Sequence, residues 1–268
     1  MSKNTPRSVL RRLFFVPICA SCKERLHPTV KNTELNHGIP CLCENCLPLF
    51  YKTAAQMCHT CGKVVGECSC MPQKSTFTQP YIPSLFFYHP DGKGAVARML
   101  YTFKHKKYVD LCDFFTEELS QKLSGLLSLL EIEPSDCIFT YIPRTDKALR
   151  HNGFDQSELL AKSLCAKVGG DRTLPLLKRR SGKEQKKLSH KERRKNAVLS
   201  IFANESKKIY KGRAKDLKEL FKGKTVVLID DVITTGASLK RGIGELKRVG
   251  AKTVLVASVA RCEIKKKK

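Results

Sequence analysis

The sequence predicts an α/β fold, a mainly parallel sheet flanked by helices, preceded by a small cysteine-rich metal module. Three observations carry that reading. Near the C-terminus, a continuous apolar run leads into a helix-period stripe and then a second apolar run, the pattern of a βαβ unit. Nine of the 13 cysteines fall before residue 71. The 268 residues, 41% hydrophobic, suffice for one medium domain with its own core and a small one beside it.

Fifty Lys and Arg against 25 Asp and Glu leave a net charge of +25. That excess points to polyanionic partners: nucleic acid, phosphorylated ligands or acidic lipid surfaces. No apolar run approaches the roughly 18–20 residues of a membrane span. Leu13 to Cys19 and Leu126 to Leu130 are the longest candidates. Arg7, Arg11 and Arg12 ahead of Leu13-Phe14-Phe15-Val16 imitate a signal peptide. The apolar stretch is short and lacks a small-x-small cleavage site, so the chain reads as cytoplasmic with no transmembrane segment.

The first unit is expected over residues 15–72. Its cysteines read Cys19-x2-Cys22, Cys43-x2-Cys46, Cys58-x2-Cys61 and Cys68-Ser69-Cys70, with Cys41 as an extra. A C-x2-C turn aims two thiolates at one metal, and two turns complete a tetrahedral sulfur site. Thiolates select zinc first and an iron–sulfur cluster second. A disulfide framework needs an oxidising compartment that nothing in the sequence supports. In chain order, Cys19 and Cys22 close with Cys43 and Cys46, and Cys58 and Cys61 with Cys68 and Cys70. Cys41 competes with Cys43, and the one-residue gap between Cys68 and Cys70 is tighter than a usual knuckle. His37 and His59 are substitutes in reach. So short a segment buries little core, so the metal supplies folding energy and every ligand position is filled by protein, a structural zinc.

The second unit is expected over residues 80–264. Val96, Leu100 and Phe103 form a helical stripe within 94–107, with Lys104, His105, Lys106 and Lys107 clustered at its end. A longer helix over 109–130 has Leu111, Phe115, Leu119, Leu123 and Leu126 on its core side. Cys137 to Tyr141 is a strand, and Pro143-Arg144 opens a loop. Asp155 is placed to cap a helix through Leu159, Leu160 and Leu164. Gly153-Phe154 sets that helix's start, Phe154 reading as a core anchor. Cys112, Cys137, Cys165 and Cys262 sit among apolar neighbours and read as small core residues. Lys178 to Lys195 holds ten Lys and Arg against two Glu. It reads as an exposed loop that closes over a ligand, as an arm for nucleic-acid phosphates, or as a merely solvated segment.

Val226 to Ile229 reads as a strand buried on both faces. Asp230 and Asp231 follow it, then Thr234-Thr235-Gly236-Ala237-Ser238. Next comes a helix carrying Leu239, Ile243, Leu246 and Val249, closed by Gly250, and then a strand from Thr253 to Val259. The hydroxyls of Thr234, Thr235 and Ser238, the bare backbone at Gly236 and the helix N-terminus suit a phosphate. Asp230 and Asp231 repel a phosphate and suit vicinal sugar hydroxyls or a magnesium ion. Together they describe a ribose 5-phosphate held along its length at the carboxyl end of a parallel strand.

Residues Val226 to Ser238 closely resemble the 5-phosphoribosyl-1-pyrophosphate motif of the type I phosphoribosyltransferases. The resemblance implies a phosphoribosyltransferase-like sheet, Asp230 and Asp231 on the ribose hydroxyls, Thr234 to Ser238 around the 5-phosphate, and magnesium with the pyrophosphate. Two further segments narrow it. Tyr141-Ile142-Pro143-Arg144 leads to Leu149-Arg150-His151-Asn152-Gly153-Phe154-Asp155-Gln156-Ser157-Glu158, and Gln185-x2-Leu188-Ser189-x2-Glu192-Arg193-Arg194-x-Asn196 follows. With the N-terminal cysteine pairs, these resemble the ComF (competence protein F) family across roughly residues 15–262. That resemblance implies a pyrophosphate contact from the loop of Arg144. It also implies a role in natural transformation, with single-stranded DNA and the DNA-uptake machinery as partners. The second reading is an active, magnesium-dependent phosphoribosyltransferase. Its acceptor site is not evident: past Ala260 only eight residues remain, so acceptor contacts are expected from before about residue 110. Aromatic residues are sparse among the basic ones, so backbone electrostatics should dominate any DNA binding.

Overall fold

The computed structural model describes residues 18–26, 41–58, 61–68, 84–88, 94–179 and 200–262. Cys70, His37, His59, the segment from Arg180 to Asn196, the N-terminal arginines and the lysine tail lie outside the described residues. In chain order the elements are α1 (Leu47–Ala54), β1 (Phe86–Tyr88), α2 (Ala95–His105), α3 (Val109–Leu129), β2 (Cys137–Tyr141), α4 (Asp146–Asn152) and α5 (Gln156–Val168). They continue with β3 (Arg172–Thr173), β4 (Leu177–Arg179), β5 (Ile201–Ala203), α6 (Leu217–Leu220), β6 (Thr225–Ile233), α7 (Ala237–Arg248) and β7 (Thr253–Cys262).

Five strands form one sheet in the order β1-β7-β6-β2-β3, and every neighbouring pair is parallel. Parallel neighbours need crossovers, and here helices supply them, which is why both faces are covered. Alternate residues of the central strands therefore enter different cores. Val227 and Ile229 of β6, with Leu255, Ala257 and Val259 of β7, pack with α1, α2, α3 and α5. Val226 and Leu228, with Val254 and Val256, pack against Leu239, Ile243 and Leu246 of α7. The uninterrupted apolar run of β6 is the signature of this two-sided burial.

The remaining elements follow from their spacing and caps. Leu111, Phe115, Leu119 and Leu123 are fully buried along α3, each four residues after the last. Leu127 continues that four-residue step fully buried, and the expected Leu126 is partly buried against the same core. Asp155 caps α5 by accepting hydrogen bonds from the Ser157 and Glu158 amides at 2.9 and 3.3 Å. Phe154, expected as a core anchor, is only half-buried and belongs to neither core. The chain turns there through Gly153 in the left-handed region. Of the four isolated cysteines, Cys112, Cys137 and Cys165 are buried, and Cys262 at the end of β7 is half-buried.

β4 and β5 form a separate antiparallel pair docked on α7. Glu245 holds it: its carboxylate accepts from the Ala203 amide at 3.2 Å and pairs with Arg241 and Arg248 at 2.9 and 3.1 Å. Burial pushes that carboxyl up, but the amide and the two guanidiniums outweigh it and hold it below its ordinary value.

The first cysteine segment borrows the core of the larger unit. Cys19, Ala20, Cys41, Leu42, Cys46 and Phe50 belong to the same cluster as α2 and α3. Phe50 meets Phe86 and Phe114 edge-on at 5.3 and 5.9 Å.

Candidate functional site

The strand end and the loop after it carry the acidic and hydroxyl groups. Asp230 and Asp231 lie within β6, two residues further inside the strand than expected, since Val232 and Ile233 continue its pairing with β7. The Asp231 amide donates to Asp230 Oδ1 at 2.9 Å, and the Val232 amide donates to Asp231 Oδ1 at 2.7 Å. Each of these bonds uses one oxygen of its carboxylate. Thr234 and Thr235 are exposed, Gly236 sits at φ 71° as the cap of α7, and Ala237 and Ser238 open the helix. Only glycine adopts that backbone freely, and its amide neighbours lie at the positive end of a 12-residue helix.

Three cations converge on the acids from other elements. Lys104 of α2 brings its ammonium to 3.6 Å from Asp231 Oδ2. Arg144, in the loop after β2, is desolvated, which lowers its pKa against the opposing pull of Asp231 and Asp155. Its Nη1 is buried without a hydrogen-bond partner among the described residues. Arg179, at the end of β4, is likewise lowered by burial against the weaker opposing pull of Asp230 and Asp155, and its Nε is also unpartnered among the described residues. Asp155 does double duty, capping α5 and accepting the Arg144 amide at 2.8 Å, so the cap also fixes the Arg144 loop. Burial raises the Asp230 carboxyl well above its ordinary value, and Asp231's charge adds to this; Lys104, the Asp231 amide and Arg179 oppose the rise without cancelling it.

Arg144 thus lies within electrostatic reach of Asp231 and Asp155. The contributions of Lys104 and Arg179 were not singled out by the sequence. A periodic signal existed for both. Lys104 falls four residues after Leu100, on the edge of the α2 stripe. In β4, the alternation buries Leu177, exposes Lys178 and turns Arg179 back inward.

The cysteines gather as two groups. The Sγ atoms of Cys19, Cys22, Cys43 and Cys46 all lie within 4.8 Å of one another, as do those of Cys58, Cys61 and Cys68. Cys43, not Cys41, belongs to the first group. Cys41 stands outside that group, buried in the core shared with α2 and α3, and burial raises its thiol to about 12. Burial pushes the Cys19 thiol up, but amides of Cys22, Cys43 and Ser21 aimed at its sulfur outweigh it and bring it down to about 7. N–H groups directed at sulfur are what a metal-binding knuckle needs to hold a thiolate. In the second group, Cys58, Cys61 and Cys68 supply three ligands, and Cys70 lies outside the described residues. Arg261 of β7, 2% exposed, donates to Cys68 Sγ at 2.6 Å and lies 5.1 Å from the Phe87 ring centroid. The described cysteines are free thiols. The donor sets suit zinc, four sulfurs at tetrahedral reach in the first and three in the second.

Residues 156–268 match the sequence family described as phosphoribosyl transferase domain. The mostly parallel sheet with its flanking helices is therefore a phosphoribosyltransferase fold, and the chain carries a phosphoribosyltransferase-type domain. Among solved structures, a crystal structure of a hypoxanthine phosphoribosyltransferase from Staphylococcus aureus is similar at TM-score 0.32 and 10% identity, covering 56% of this chain and 72% of that one. A purine phosphoribosyltransferase from Pyrococcus horikoshii Ot3 is similar at TM-score 0.30 and 20% identity, covering 58% and 83%. No curated protein matches the chain. No helix among the described residues is long and apolar enough to cross a membrane.

Proposed function

We propose that this chain is a ComF-like protein of DNA uptake that binds a phosphoribosyl-pyrophosphate-type ligand with magnesium and holds single-stranded DNA on its basic surface. The observation that carries the ligand reading is the convergence of Lys104, Arg144 and Arg179 on Asp230 and Asp231 beside the loop Thr234 to Ser238. The acids suit ribose hydroxyls or a hard divalent ion, and the loop suits the 5-phosphate. The desolvated Arg144 guanidinium, with an unused donor, suits pyrophosphate oxygens. Structural zinc on the two cysteine groups completes the reading, in a cytoplasmic protein of two units, 15–72 and 80–264.

The Arg144 Nη1, without a hydrogen-bond partner among the described residues, also favours a second reading, transfer chemistry. Departure of pyrophosphate from the ribose C1 develops negative charge that Arg144 and Arg179 are positioned to stabilise.

Thermal unfolding with and without 5-phosphoribosyl-1-pyrophosphate and magnesium tests the ligand reading. Ligand at about 100 times its dissociation constant stabilises by roughly 2.7 kcal/mol, a shift of several degrees in a domain of this size. The shift is expected in the wild type and absent in the double variant Asp230→Ala/Asp231→Ala; no shift in the zinc-loaded wild type overturns the reading. The DNA reading rests on the net charge of +25. Affinity for a single-stranded oligonucleotide should fall at least tenfold between 50 and 200 mM salt if several phosphates are contacted, about 0.7 counterions released per contact. A flat salt dependence speaks against it.

A further inference from the structure

We infer that the cavity between the first cysteine knuckle and α2 binds a nucleotide, an aromatic base bearing a phosphate, immediately beside the phosphoribosyl site. The inference deepens the proposed function, since it supplies the ligand class for the side of the site that the sequence left blank.

The cavity holds about 290 Å³, just below the roughly 300–1,000 Å³ of small-molecule sites. Its floor is apolar, built by Ala97 and Leu100 of α2, both buried. Two aromatic rings, Tyr88 and Tyr101, stand in its walls. Tyr101 is 64% exposed, which is unusual for so large a ring, and it packs against His105 with centroids 4.4 Å apart. Lys23, Arg98 and Lys104 supply the charge, and among the described residues no carboxylate lines the cavity. Rings that offer a stacking face, under a rim of cations and above an apolar floor, form the combination that recognises a base together with its phosphate.

The wall that faces α2 is held rigidly by contacts that cross from the knuckle to the helix. Thr102 Oγ1 donates to the Ala20 carbonyl at 2.6 Å, and Arg98 Nε donates to Ser21 Oγ at 2.9 Å. The Tyr108 hydroxyl donates to the Ile18 carbonyl. Lys23 closes the knuckle with its ammonium 3.0 Å from the Ala20 carbonyl and with its backbone at φ 73°, a conformation that side chains other than glycine rarely adopt. The turn that places Cys19 and Cys22 toward one metal position therefore also builds the cavity wall.

One side chain joins the cavity to the phosphoribosyl site. Lys104 lines the cavity, lies 5.8 Å from the Tyr88 ring centroid and stands 3.6 Å from Asp231. A nucleotide phosphate in the cavity and a ribose ligand on Asp231 would share this ammonium.

The test uses the full-length, zinc-loaded chain and two variants chosen to spare the fold. Tyr101→Ala removes an exposed ring, and Lys23→Gly removes a charge while relieving the backbone. Binding of thymidine monophosphate and of an oligo-dT strand is measured by calorimetry, alongside 5-phosphoribosyl-1-pyrophosphate with magnesium and metal content by mass spectrometry. Nucleotide affinity should fall about tenfold or more in each variant, the scale of losing one stacked ring, while metal content and phosphoribosyl-pyrophosphate binding stay at wild-type values. A Tyr101-sensitive gain for the strand over the monophosphate identifies a nucleotide unit of DNA as the occupant; equal or weaker strand binding identifies a free nucleotide. Absence of nucleotide binding by the wild type, or binding that neither variant weakens, overturns the inference. Nucleotide binding that stays Tyr101-sensitive when phosphoribosyl pyrophosphate does not bind upholds the cavity and sinks the donor reading instead.

Discussion

Desolvation and the charge of Asp231 act on Asp230 in the same direction, and Lys104, Arg179 and a backbone amide only partly offset them. The folded chain therefore holds a proton on Asp230 at pH values where the unfolded chain has released it. Stability must then fall as pH rises from the ordinary carboxylate range through the raised folded value, and the whole cost is present above it. Asp230→Asn abolishes this cost while its amide oxygen still accepts the Asp231 amide. The variant should melt a few °C above the wild type at neutral pH without ligand, given roughly 2–4 °C per kcal/mol in domains of 150–250 residues. The difference should vanish at acid pH. A differential scanning fluorimetry series across pH checks this, and a variant less stable than wild type at neutral pH would contradict it. A site that destabilises its own apo form in this way is poised for a cationic or hydroxyl-rich ligand.

At the scale of elements, two glycines make opposite predictions from the same substitution. Gly169 ends α5 in the left-handed region, and Gly170 follows it with its amide on the Cys165 carbonyl at 2.9 Å. A Cβ at Gly170 would lie 2.4 Å from the ring of Phe139, which is fully buried in β2, and 3.0 Å from Cys165 Sγ. Gly170→Ala should destabilise by about 1–3 kcal/mol through overpacking. Gly244, within α7, has nothing within 4 Å of its Cβ position, so Gly244→Ala should stabilise by about 0.5–1 kcal/mol through helix propensity. Urea midpoints of the two variants check both signs. The elements that positioned these residues were largely legible in the sequence because periodicity and caps are local: β2, α2, α5 with its Asp155 cap, and the β6–α7–β7 unit. The site was legible where its residues are contiguous, from Asp230 to Ser238. It was not legible where residues arrive from far along the chain. In the run Lys104 to Lys107 only the four-residue step from Leu100 marks Lys104, and the short alternation of β4 that marks Arg179 is submerged in a run of cations. The Arg261 contact with Cys68 joins positions 193 residues apart and leaves no local pattern at all.

The whole molecule is tied together by sharing of its core, and this decides what metal removal does. Cys19, Cys46 and Phe50 pack in one cluster with Phe86, Phe103 and Phe115, and Thr102 and Arg98 of α2 bond the knuckle backbone. On the other side, Arg261 ties the second cysteine group to the last strand of the sheet. In zinc-finger peptides a structural zinc contributes about 10–16 kcal/mol of folding free energy, comparable with the whole stability of an ordinary domain. Released from metal, the first group would leave unligated sulfurs against the buried faces of α2 and α3, and the second would lose the ion that fixes the Cys68 sulfur on which the buried Arg261 guanidinium is held. Loss of zinc should then not stop at the N-terminal segment. The protein as purified is expected to carry one zinc per cysteine group, and chelation should lower its melting temperature by more than 10 °C in a single transition that also abolishes the 5-phosphoribosyl-1-pyrophosphate shift. Two separated transitions, with ligand binding intact after the first, would show instead that the cysteine segment folds and unfolds apart from the sheet, and the shared core would then count for little energetically.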